Sequence, residues 1–117
     1  MECSKESNQS VNIEFPKDPS KLMAETLEIL GGKWKILILW HLSQKPTQRF
    51  GELKKLIPDI SQRILTLQLR AMEDGGLVTR EIFPEIPPRV EYKITAKAMG
   101  LQEVFTAICN WRRNFPD

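Results

Sequence analysis

Four polar residues in a short run have types suited to reading the edges of DNA bases: Ser61, Gln62, Arg63 and Thr66. Arginine can donate two bonds to guanine. Glutamine can make two to adenine, and threonine can touch a thymine methyl or a base edge. Ser61 is a suitable N-cap for a helix over Gln62–Asp74, because its hydroxyl accepts an otherwise unpaired backbone N–H. At 100° per residue, Ile64, Leu65, Leu67, Leu69, Ala71 and Met72 are expected to share one broad face. Gln62, Arg63, Thr66, Arg70, Glu73 and Asp74 share the other. The acidic pair falls at the far end, where such a helix would leave a groove. The N-terminal end of a helix also favours a nearby phosphate. Any surface helix turns polar residues outward, so polarity alone does not make the case.

Other basic residues stand near this run. Arg89 follows Pro87-Pro88. It can reach a phosphate or the minor groove, or it can be an ordinary solvated turn arginine. Arg49, Lys54 and Lys55 can touch backbone phosphate. No other set supports chemistry. His41 is the sole histidine, and no nucleophile or metal constellation surrounds it. Gly31-Gly32-Lys33 lacks the strand and the full glycine-lysine pattern of a phosphate loop. Catalysis, a metal and a cofactor are therefore not expected. The two cysteines form no C-x-x-C pair, which fits a reducing cytosol. Cys3, in an exposed tail, is a candidate redox or electrophile sensor or an idle thiol. Cys109 is expected to be buried or at an interface.

The elements that must position these residues follow in order. Residues 1–20 read as a flexible tail, in which Val11, Ile13 and Phe15 alternate and permit a short docked strand. The folded part, 21–117, opens with an amphipathic helix from Lys21, closed by Gly31-Gly32. Helices are expected over Lys33–Ser43 and Phe50–Leu56. The Ile57-Pro58-Asp59-Ile60 turn then joins the latter to the Ser61-capped helix, at helix-turn-helix length. Val78–Phe83 and Val90–Thr95 read as a hairpin with a proline-stiffened tip. Thr95 caps a last helix over Ala96–Arg113, with Leu101, Val104, Phe105, Ile108 and Trp111 at helical spacing. The class is mainly α (α+β): a helix-turn-helix followed by a β-hairpin wing, with flanking terminal helices.

The chain has 117 residues, 41% hydrophobic and 27% charged, with a formal net charge of +2. One domain is expected. The basic and acidic residues are spread evenly, 9 and 8 in the first 60 positions and 8 and 7 in the rest. Bulk charge therefore argues little for DNA, and the fold must sort the basic groups onto one face. No signal peptide and no run long enough to cross a bilayer are read, so a soluble, cytoplasmic protein is expected.

These segments together resemble the HxlR-type family of bacterial winged-helix regulators, within the wider MarR-like group. The matching pieces are Gly31-Gly32-Lys33-Trp34, Arg49-Phe50-Gly51-Glu52-Leu53, Ile57-Pro58-Asp59-Ile60-Ser61, Leu65-Thr66-Leu67-Gln68-Leu69-Arg70 and Pro87-Pro88-Arg89-Val90-Glu91-Tyr92 with Thr95. The resemblance implies sequence-specific binding of double-stranded DNA, with the Ser61 helix as recognition helix. It also implies a homodimer built from the first and last helices. Leu22, Leu27, Leu101, Phe105 and Ile108 are the expected contacts there, although intrachain packing is the simpler account of the last three. Many relatives carry a cysteine ahead of the first helix, where this chain has Pro19-Ser20-Lys21. A protein-interaction module and a redox-responsive regulator using Cys3 are the alternatives. A small-molecule effector of unidentified chemistry is left open.

Overall fold

The computed structural model describes residues 17–117. Cys3 and the Val11–Phe15 alternation lie outside the described residues. Helix α1 spans Pro19–Leu30, two residues earlier than expected, because Asp18 caps it by accepting the Lys21 N–H at 3.1 Å and Pro19 suits the first turn. It ends at two glycines for two reasons. A Cβ on Gly31 would sit 2.2 Å from the Leu27 carbonyl oxygen, and Gly32 has a φ of +91°.

Helix α2 (Lys35–Leu42) is the central core helix, with Ile38, Leu39 and Leu42 fully buried. Strand β1 (Gln48–Arg49) leads into α3 (Phe50–Leu56), which the turn joins to α4 (Gln62–Asp74). Strands β2 (Val78–Phe83) and β3 (Arg89–Ile94) form the hairpin. All pairing is antiparallel, in the order β1-β3-β2, with Gln48 opposite Tyr92 and Val78 opposite Ile94.

β1 was not expected, since two residues carry no readable alternation. Its pairing with β3 buries Gln48, whose Nε2 donates to the His41 carbonyl. This ties α2 to the root of the wing.

The last helix is divided, against the expectation of one continuous helix. Helix α5 (Ala96–Met99) is capped by Thr95, and α6 (Gln102–Asn114) follows. Gly100 is a poor helix former, and the Leu101 N–H bonds to Ala98 three residues back at 2.9 Å. The chain tightens there into a 3₁₀-like turn. Thr95, expected as the end of a strand, leaves the sheet to cap α5. Its N–H donates to the Leu77 carbonyl at 3.0 Å and its hydroxyl to Gly76 at 2.7 Å.

The core gathers α2, the inner faces of α3 and α4, and the root of the sheet. The terminal helices stand outside it. Only Leu30 of α1 and Phe105 of α6 are buried, and the molecule extends 59 × 33 × 23 Å.

Candidate nucleic-acid interface

The turn between α3 and α4 is held from both sides. Ile57 and Ile60 point into the core, and the Ile60 N–H reaches the Ile57 carbonyl at 3.2 Å. Lys54 Nζ donates to the Pro58 carbonyl at 3.3 Å, so this lysine is spent partly on the turn. Ser61 caps α4 as the sequence implied, its Oγ accepting the Ile64 N–H at 3.0 Å. Leu65, Leu69 and Met72 anchor the inner side of α4. At its far end Glu73 pairs with Arg80 of β2 at 3.5 Å. This leaves the first two turns to project.

The projecting face carries Gln62, Arg63, Thr66, Leu67 and Arg70, which together line a shallow open depression. Gln62, Arg63 and Arg70 are exposed. Among the described residues, no carboxylate lies within ion-pair distance of Arg63 or Arg70. The Thr66 hydroxyl donates to the Gln62 carbonyl at 2.9 Å. Its hydrogen is therefore committed, while its oxygen can still accept and its methyl remains.

Leu67 corrects the sequence reading. It was expected on the apolar face and is instead 48% exposed. The signal was present in the spacing. At 100° per residue Leu67 lies roughly 160° from both Leu65 and Leu69, the two fully buried leucines. Leu65, Leu69 and Met72 are buried and Ile64 packs beside them, while Ala71, also expected on the apolar face, is exposed like Leu67.

The wing is different. Arg89 Nη1 donates to Glu91 at 2.7 Å and Nη2 to Glu85 at 2.8 Å, and the guanidinium stacks on Phe83 at 3.9 Å. The sequence reading set phosphate contact against an idle turn arginine. The structure adds a third state, an arginine held by two carboxylates. Alternation on β3 places Arg89 and Glu91 on one face, so half of this clamp was readable. Arg49 is exposed beside the start of α3, with its backbone N–H donating to Glu52 at 2.7 Å.

The residues expected to meet a second subunit divide. Leu22 and Leu27 are exposed on α1 and Ile108 on α6, while Leu101 is half-buried against the core. Of the two accounts the sequence offered for Phe105, intrachain packing holds: at 3% exposure it belongs to the core of a single chain. It lines the floor of an apolar groove with Ile36, Leu37, Trp40 and Ile108, because α6 crosses α2 there. Cys109 edges the same groove and is exposed in the single chain rather than buried.

Burial holds the His41 imidazole below its ordinary pKa of 6.5, and it raises the Tyr92 phenol above 10.0. Both groups are thus neutral near pH 7. Among the described residues no His, Cys, Asp and Glu cluster could hold a metal, and no helix is long and apolar enough to cross a membrane.

Comparison with known proteins agrees with this geometry. A family model described as HxlR-like helix-turn-helix matches residues 29–117. The chain is 38% identical over 112 residues to the uncharacterized HTH-type transcriptional regulator YdeP of Bacillus subtilis, covering 94% of this chain and 87% of that one. Among solved structures, the redox regulator HypR in its oxidized form superposes with a TM-score of 0.75 at 37% identity, over 81% of this chain and 97% of that one. The reduced form of the transcriptional regulator YodB from B. subtilis gives 0.70 at 34% identity, over 88% and 95%. The helix-turn-helix, the hairpin wing and the matched span lead to one assignment: the chain belongs to the HxlR-like helix-turn-helix family and is a transcriptional regulator of helix-turn-helix type rather than an enzyme.

Proposed function

We propose that the protein binds a short, roughly palindromic operator as a cytoplasmic homodimer, with α4 of each subunit in a major groove. The observation that carries this reading is the exposed face of α4. Two arginines with no ion-pair partner among the described residues, a glutamine and a threonine project from a helix whose opposite side is locked into the core. Gln62, Arg63, Thr66 and Arg70 read bases or flanking phosphate, and the Ser61-capped helix end and Arg49 approach the backbone. Arg89 joins them only by giving up its carboxylate partners, so its first role is to brace the wing.

The dimer reading rests on the terminal helices. Leu22 and Leu27 of α1 and Ile108 of α6 are apolar, exposed and outside the core of one chain. A second copy covering them gives a two-fold dimer, whose symmetry predicts half-sites about one helical turn, roughly 34 Å, apart. Exposed Cys109 and the likeness to a structure described as a redox regulator favour a second reading, in which oxidation alters DNA binding.

Selection from a random duplex library at near-physiological salt, with and without reductant, tests both readings. A two-fold motif is the expected result. A motif found in only one redox condition supports thiol control. A dimer without enrichment in either condition points instead to a winged-helix interaction module.

A further inference from the structure

The recognition face is not uniformly polar. Leu67 stands four residues after Arg63 and three before Arg70, so the three side chains form one row along the helix. Leu67 is 48% exposed, packs into no core, and lines the same depression as both arginines. A single exposed leucine is ordinary. One set between two arginines, on the face proposed to enter the groove, is placed where DNA would cover it.

The major-groove edges of the base pairs offer acceptors, donors and one apolar group, the C5-methyl of thymine. The arginines suit guanine acceptors. The apolar group between them suits the methyl. The geometry points to Leu67 as a specificity-determining residue that reads a thymine methyl in each half-site. This rests on the DNA-binding reading above and goes beyond it by naming the base and the atom.

The test uses the selected operator, with each thymine replaced singly by deoxyuridine. That change removes the methyl and keeps every base-pair hydrogen bond. One position per half-site should cost the unaltered protein about fourfold in affinity, the loss expected for one buried CH₂-sized group at about 0.8 kcal/mol. In Leu67→Ala that penalty should vanish, while the slope of affinity against salt stays the same. Leu67→Gln, selected afresh on the library, should replace thymine at that position. The side chain is exposed, so unchanged thermal melts of both variants confirm that folding is not the cause. Operator binding with no methyl-sensitive thymine, or with the same penalty in Leu67→Ala, overturns the assignment and leaves DNA binding standing. A protein with no preference among duplexes overturns both.

Discussion

Helix α4 and the wing both carry arginine, and the fold leaves the two in different states. Arg63 and Arg70 on α4 have no ion-pair partner among the described residues. Arg89 on the wing is bonded to Glu85 and Glu91 and stacked on Phe83. A guanidinium between two carboxylates adds little positive potential at the surface, whatever its formal charge. The net charge of +2 therefore understates what α4 offers to phosphate and overstates what the wing offers. Helix α4 leaves its charge unpaired among the described residues, and the wing spends its charge on its own shape.

The largest change should come from beneath the helix. Leu65 is fully buried, and Leu65→Ala should cost about 2–5 kcal/mol of stability through lost burial and a residual cavity. Chemical denaturation measures this, and a loss below about 0.5 kcal/mol would mean the buried row does not hold α4 in place. Next, Arg63→Ala should weaken operator binding by about 1–3 kcal/mol, roughly 5- to 150-fold, the worth of a bidentate base contact. Non-specific binding should fall much less, and an equal fall on both would remove the base-reading role.

The wing gives a smaller and opposite effect. Glu85→Gln with Glu91→Gln should release Arg89 and steepen the slope of log affinity against log salt by about 0.9 for one phosphate gained. An unchanged slope would show that the carboxylates are not what keeps Arg89 from DNA.

The smallest effect separates stability from charge. The folded pKa of His41 is depressed by burial, so its contribution to stability is present above the unfolded value of about 6.5. It is lost as pH falls through the folded value, because the unfolded chain then binds more protons. Melting at pH 7.5 and at pH 5.5 should show a modest drop that His41→Gln reduces. An identical drop in the variant would assign it to other groups.

Local chemistry accounts for what was legible. Gly31-Gly32, Ser61 and Thr95 marked helix ends because capping and a positive φ depend on a few adjacent residues. The helices Phe50–Leu56 and Gln62–Asp74 run between the bounds expected, and so does the strand Val78–Phe83, which its β-branched and aromatic residues marked. The break at Gly100-Leu101 was missed because the apolar stripe continues across it. β1 was missed because Gln48 and Arg49 join a sheet only through a partner more than 40 residues away.

By itself the sequence determined the helix-turn-helix with its hairpin wing, the residues that cap its helices, and which polar residues α4 could offer to a base. Those depend on side-chain type and on spacing within one element. Tertiary structure alone decided that Gln48 is buried by pairing with β3, that Phe105 rather than Ile108 is covered by a single chain, and that Glu73 of α4 pairs with Arg80 of β2. Contacts between elements are set by what lies across a gap in space, and neighbours along the chain do not specify that.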